Sequence, residues 1–448
     1  MMLPWHRASR EFINRYTEGW SAWTVVILLV LFMLINFADK VVLALVAIPV
    51  MDEFSLTPTQ FGLLGSSFFL LFSVSAVVTG FIVNHVRTRG AILAMALVWS
   101  LAQFSVIAAG GFGLLMTARI ILGAGEGPAY PVALHSVYKW FCNERRAIPT
   151  ALVSGGGLVG LIVAPPALTY VITHVSWRWA YVLLGLIGLL WALAWLVFGA
   201  EGGQSVAPQQ SDNDAHVPYL RLLFNGTALA AFASGFAAYW GIALLFTWFT
   251  PYLVKGLGFS QSSAGWLTSL PSLCSLVFLT AGAWVSQAAL SWGVTTRVAR
   301  GMMTGAAALL GGIAMILAPL VASSTAKVGL ISFGMELPAM IFVLGHPMIA
   351  EFTPAPQRGA MLAITNSIWT AAGVLVPYVM GHVIERGATV AQGYEHGFVI
   401  CGVIVSACGV ISLIFLRPEA ELRKFSSGAH GSIAVQASSS GLWTVDRP

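Results

Sequence analysis

Four ionisable residues stand inside otherwise apolar stretches, and their types and spacing are the first clue to chemistry. Asp39 and Lys40 are neighbours within Asn36-Phe37-Ala38-Asp39-Lys40, and Arg119 and Glu126 bracket Ile-Ile-Leu-Gly-Ala-Gly. That second separation is about two helical turns, so both side chains share one helix face about 10 Å apart. A charge at the centre of a membrane helix costs about 2.5–3.5 kcal/mol on insertion scales, so it faces a cavity or a partner. Two acids and two bases sum to zero when all are ionised and to a double positive charge when both acids are protonated. The protonated state suits an anion. Proton and anion are then linked: a carboxylate bound at Lys40 or Arg119 draws the base from its acid, and Asp39 or Glu126 takes up a proton. The alternative is static, with Asp39–Arg119 and Lys40–Glu126 as permanent pairs, although buried pairs add little over apolar packing.

Other candidates carry weaker signals. Glu336, two residues before Pro338, either lines an outer cavity and influences coupling or pairs with a polar neighbour near a helix end. His135 falls on roughly the face of its helix opposite Glu126, and His135 and His346 both read as packed or interfacial. Tyr239, Trp240, Trp248, Tyr252, Asn366 and Trp369 offer flat walls and hydrogen-bond donors to a site, or serve as packing and interfacial anchors. Cys142, Cys274, Cys401 and Cys408 form no CxxC pair and have no metal-ligand spacing. There is no HExxH and no GxSxG, so no enzyme chemistry, metal or cofactor is expected.

The elements that position these residues follow from composition. The chain has 448 residues, 58% hydrophobic and 9% charged, against about 25% charged in soluble domains. That excludes a water-soluble fold and makes the lipid bilayer the solvent. Apolar runs of spanning length fall near 21–49, 61–83, 91–109, 114–137, 150–172 and 180–199, then near 226–253, 263–285, 302–321, 328–350, 360–384 and 397–416. The expected fold is therefore all-α and polytopic, with twelve transmembrane helices in two pseudo-symmetric six-helix bundles. The expected organisation is a segment 1–20, a bundle 21–199, a linker 200–222, a bundle 223–416 and a largely disordered tail 417–448. With the N-terminus in the cytoplasm, most Lys and Arg fall on that side. The far side receives Arg178, Lys255, Lys327 and Arg386, while Lys40 and Arg119 stay inside spans. Both termini are thus expected to be cytoplasmic, and the basic excess marks topology, not nucleic-acid binding. Gly123/Gly127 and Gly156/Gly160 have the spacing that lets helix backbones approach closely.

The stretch 36–40 is similar to an Asn-Tyr-x-Asp-Arg pattern. With Arg119 to Pro128, Trp140-Phe141, Glu144-Arg145-Arg146, Trp177 to Tyr181, Gly293 to Arg300, and Pro354 to Gly359 leading to Asn366, it resembles the major facilitator superfamily. Within it, the chain resembles the anion:cation symporter branch of hexuronate, galactonate, glucarate and phthalate carriers, over roughly residues 20 to 420. The resemblance implies the major facilitator fold and a monomeric secondary transporter of a bacterial inner membrane. It further implies import of an organic carboxylate, a sugar acid or aromatic acid, with protons by alternating access. By that likeness Asp39 and Glu126 are the proton-carrying acids. Lys40 and Arg119, with Phe37 beside them, face the carboxylate, and Asn366 is a contact from the second half. Lys40 replaces the usual Arg, exchanging a bidentate fork for a point charge. The signature loop after the second span has also changed: where the family has Asp, this chain has Asn84, followed by Arg87 and Arg89, and the counterpart loop offers Ser286 and Gln287. The family's carboxylate latch is therefore missing from both halves, which predicts a weaker outward-facing bias. An efflux antiporter is the competing transporter reading, disfavoured because the fifth helix ends in Gly160-Leu-Ile-Val-Ala-Pro165-Pro166. A membrane-embedded enzyme is the competing reading from another class.

Overall fold

The computed structural model describes residues 5–82, 86–142, 145–203 and 217–424, and every regular element among them is a helix. In the first half, spans 1, 2, 3, 5 and 6 are Ser21–Leu45, Pro58–Thr79, Thr88–Ala108, Ala147–His174 and Trp177–Phe198. In the second half, spans 7 to 12 are Gly226–Thr247, Gln261–Ser291, Arg297–Leu320, Ser324–Phe352, Arg358–Glu385 and Val390–Phe415. The backbone of span 1 continues a helix that begins at Trp5. The expected tail beyond residue 424 lies outside the described residues, as do positions 204–216 of the expected linker.

Span 4 departs from the single helix expected over 114–137. It is built from Phe112–Glu126 and Ala129–Tyr138. The break falls at Gly127-Pro128, because Pro128 has no amide to donate and its ring clashes with the carbonyl four residues back. Glu126 is thereby the last residue of its helix, not a mid-helix residue.

Glycine sets how closely the site-bearing helices pack. The Val30 and Leu34 carbonyls of span 1 lie over Gly156 and Gly160 of span 5, where an added Cβ would fall 2.4 and 2.3 Å from those oxygens. Span 2 meets span 4 in the same way, since a Cβ at Gly123 or Gly127 would sit 2.0 or 2.1 Å from the Phe68 or Phe72 oxygen. These are the two glycine pairs that the spacing predicted, and they bring backbones into van der Waals contact.

Six crossings per half put both termini and the linker on one face, here the terminal face; the other is the remote face. The bundles are joined from mid-membrane to the remote face. Gly62 of span 2 lies under the Pro377 carbonyl of span 11, and Gly381 under that of Pro58. Ser66 Oγ accepts from the Tyr378 N–H at 3.2 Å, and Ser269 Oγ donates to the Ile162 carbonyl at 2.7 Å. Gln261 Nε2 donates to the Leu45 carbonyl at 2.9 Å, and Lys255 faces Asp52 at 4.0 Å. Among the described residues, the hydrogen bond between the bundles nearest the terminal face is Ser73–Thr370, at 3.2 Å. Span 2 beyond it exposes Val74, Val77 and Val78.

Candidate functional site

Span 1 carries Asp39 and Lys40 on adjoining faces. Phe32, one heptad before Asp39, packs on Trp99 of span 3 and Trp191 of span 6, with ring centroids 4.7 and 4.9 Å away. That orientation aims Asp39 into the first bundle. Its polar neighbours are Gln103 of span 3 and the charged groups of Glu126, Lys40 and Arg119. Lys40 is turned toward spans 2 and 4. Its Nζ donates to Asn36 Oδ1, lies 3.8 Å from Glu126 Oε2, and sits over the Phe37 and Phe72 rings at 4.2 and 5.2 Å. Arg119 stacks over Phe68 at 4.7 Å and has Tyr181 of span 6 as a neighbour.

All four charged groups are buried, none more than 4% exposed. They are also under-bonded. Both Asp39 oxygens, both Glu126 oxygens, Arg119 Nε and Nη1, Asn36 Nδ2 and Gln103 Nε2 lack hydrogen-bond partners. Lys40 and Glu126 thus form a loose ion pair at 3.8 Å, and Asp39 and Arg119 do not close to ion-pair distance. Leaving such groups unsatisfied costs about 1–3 kcal/mol each, more when charged. The cluster thus holds buried donors and acceptors that its own side chains engage only loosely.

The sequence candidates divide into those near this cluster and those apart from it. Phe37 borders it, wedged against Gly157 of span 5. Tyr239 reaches it through rings: it meets Phe69 edge-on at 5.9 Å, and Phe69 meets Phe72, which lies under Lys40. Trp240 packs beside Phe236. Asn366 is exposed. Trp369 is 1% exposed in the second bundle, with its indole N–H committed to the Ala231 carbonyl at 2.9 Å, so here it offers no surface to a ligand. Glu336 is buried beside Ser275 of span 8, away from the cluster. Gln103 and Tyr181 were missed by the reading from sequence. Gln103 had a signal, as a polar residue in an apolar run, and Tyr181 lay in the noted stretch from Trp177.

Of the latch-loop candidates, Asn84 lies outside the described residues, and Arg87 and Gln287 are exposed. Arg89 is tied within its own bundle, donating to the Leu196 carbonyl at 2.7 Å. The carboxylate here comes from Glu201, just past span 6. It accepts from the Thr88 and Arg89 amides at 3.1 and 2.8 Å and from Lys139 Nζ. Burial alone would push its acidity down, but Lys139 and these amides outweigh it and hold the carboxyl below its usual pKa. On the remote face, Arg178 grips Glu53 with two bonds of 2.8 and 2.6 Å, which holds the Glu53 carboxyl below the usual range.

Twelve spans in two bundles, with a buried and balanced charge cluster in the first, have the architecture of a membrane transporter. Comparison with known proteins agrees. The Major Facilitator Superfamily pattern matches residues 28–341. The hexuronate transporter of Bacillus subtilis is 25% identical, the alignment covering 88% of this chain and 94% of that one. The D-galactonate transporter of Escherichia coli O6:H1 is 24% identical, covering 90% and 96%. Among solved structures, a bacterial homologue of the human lysosomal transporter Spinster, inward-facing and unoccupied, superposes with a TM-score of 0.74 at 18% identity, covering 89% of this chain and 97% of that one. The chain belongs to the Major Facilitator Superfamily.

Proposed function

We propose that this protein carries an organic carboxylate across a bacterial inner membrane together with protons, by alternating access. The observation that carries the reading is the loosely bonded cluster itself: a buried guanidinium with Nε and Nη1 unpartnered, in the same cluster as two buried carboxyl groups that lack close hydrogen-bond donors. A substrate carboxylate would take the free donors of Arg119 and the charge of Lys40. Glu126, 3.8 Å from Lys40, would then lose its counter-charge and take up a proton. Asp39, set deeper against Gln103, serves as the second acid of the same balance. Proton and anion thus enter together because either alone leaves the buried cluster charged. The relatives' names, hexuronate and galactonate, support a sugar acid as the substrate class. The junction near the remote face supports a conformation closed on that side. With the termini cytoplasmic by the distribution of Lys and Arg, this is the inward-facing half of the cycle, and an inward proton gradient would drive net import by a monomer.

The test is uptake by proteoliposomes, with and without an imposed proton gradient, over sugar acids, phthalate-like acids and short hydroxy acids. Gradient-dependent uptake of at least one anion is expected, lost in Arg119→Ala. Glu126→Gln should keep counterflow exchange and lose gradient-driven accumulation. Absence of gradient-dependent anion uptake in the native protein overturns the reading, and equal loss of both modes in Glu126→Gln removes that residue from the proton path.

A further inference from the structure

The second bundle holds an acid that the proposed transport mechanism does not use. Glu336 ends the helix Ser324–Glu336 in span 10, is 3% exposed, and joins no ion pair among the described residues. Its polar neighbours on span 8 are Ser275, itself 5% exposed, and the thiol of Cys274. One helical turn toward the remote face, Ser272 precedes Ser275 on span 8 and Ser332 precedes Glu336 on span 10. Both are buried, at 1% and 0% exposure, and neither hydroxyl has a hydrogen-bond partner. Spans 8 and 10 are two crossings apart in the chain and so run in the same direction. They pack together, Phe278 against Phe333 at 5.3 Å. The contact between Ser275 and Glu336 sets the local register, and one turn back along each of these parallel helices brings Ser272 and Ser332 to a similar depth on the same helix faces.

Three unmet needs coincide here. A buried carboxylate without a counter-charge is costly, and each unpartnered buried hydroxyl adds its own penalty. A proton on Glu336 answers only the first. A divalent ion would replace one uncompensated buried charge by another. A single positive metal ion, held by hard oxygen ligands, neutralises the carboxylate and engages the hydroxyl oxygens together. We propose that Glu336, Ser275, Ser272 and Ser332 form a binding site for a monovalent alkali cation of the Na+ type. It lies in the bundle opposite the Asp39–Arg119 cluster and pins span 8 to span 10 just before the Pro338 break. It is a site separate from the proton-carrying acids, so cation binding there survives loss of the first cluster.

Equilibrium binding of radioactive Na+ to the purified full-length protein, in choline chloride and without any organic substrate, tests this. Saturable binding is expected. Glu336→Gln should weaken it by at least about tenfold, since ligand charge dominates affinity at oxygen sites. Ser272→Ala and Ser332→Ala should each weaken it several-fold, while Asp39→Asn leaves it unchanged. Should Glu336→Gln fail to fold, the two serine variants decide, and native affinity in both overturns the site. Absence of saturable Na+ binding by the native protein overturns it too. So does binding that is lost in Asp39→Asn but kept in Glu336→Gln. A melting temperature that responds to pH at Glu336 but not to Na+ would reduce the residue to a proton carrier and also overturn the metal site. None of these results depends on whether an organic anion is carried.

Discussion

Arg119 shows what a single residue type contributes. Its guanidinium sits over the Phe68 ring with Nε and Nη1 unpartnered, which leaves a planar fork matched to a carboxylate. Arg119→Lys keeps the charge and removes the fork. At about 1.5–3 kcal/mol for a hydrogen bond to a charged group, anion affinity should fall by about tenfold or more while the protein still folds. Counterflow measured over a range of anion concentrations checks this, and native affinity in the variant would show that Arg119 acts only as a point charge. At this scale the sequence was legible where charge is scarce. Asp39, Lys40, Arg119 and Glu126 stand out because an apolar span tolerates a charge only for a reason. Gln103 and Tyr181 did not stand out, because uncharged polar residues recur in spans without marking a site. Trp369 shows the reverse: its ring suits a ligand wall, but which way it points is set by Gly235 and Gly345, whose missing side chains admit the indole into the bundle.

Helices deliver these residues to one place, and the sequence foretold that through glycine more clearly than through hydrophobicity. A Cβ at Gly123 would fall 2.0 Å from the Phe68 backbone oxygen, where no side chain can yield. Gly123→Ala should therefore push span 4 from span 2, costing about 2 kcal/mol or more, and separate Arg119 from Phe68. Gly113→Ala on the same helix meets nothing within 4 Å and should be neutral or slightly stabilising. Melting of the detergent-purified variants compares the two, and similar melting temperatures would undo the packing argument. Glu201 was not legible, because its role depends on the end of span 6 returning beside the start of span 3, a tertiary event. Its carboxyl caps that start and is held below its usual pKa. A depressed carboxyl contributes stability above its unfolded value, about 4.3, and that contribution is lost as pH falls through the folded value. Glu201→Gln should thus lower the melting temperature at pH 7 by the equivalent of about 1 kcal/mol. The gap from the native protein should narrow as the pH drops through the carboxylate range, and a gap independent of pH would exclude the charge as the cause.

For the molecule as a whole, the question is which face is held shut. The sequence indicated that the family's carboxylate latch on the terminal face is missing, with Asn84 and Gln287 in its place, and the described Gln287 is exposed. It did not indicate that a latch of the same kind works at the opposite end, since its two halves are more than three hundred residues apart. There Glu385, the last residue of span 11, accepts from the Thr59 amide at 3.2 Å and from the Thr59 hydroxyl. A carboxylate from the second bundle thus caps the first turn of span 2 in the first bundle, where a helix N-terminus favours negative charge. Around it Gly381 and Gly62 let spans 2 and 11 touch along their backbones. If the terminal loop lacks its carboxylate latch as proposed, that absence and the Glu385–Thr59 contact would bias the same equilibrium toward closure of the remote face. Glu385→Gln keeps the shape and removes the charge, so the remote-open population should rise about two- to fivefold. Spin labels at Ser55 and Ala388, both exposed on the remote face, report it as a longer-distance component. Asn84→Asp should act in the same direction from the other side, and the double variant should combine the two in free energy, since one position follows span 2 toward the terminal face and the other ends span 11 at the remote face. A distance distribution unmoved by Glu385→Gln, with Asn84→Asp still effective, would mean that backbone packing of spans 2 and 11 alone closes the remote face.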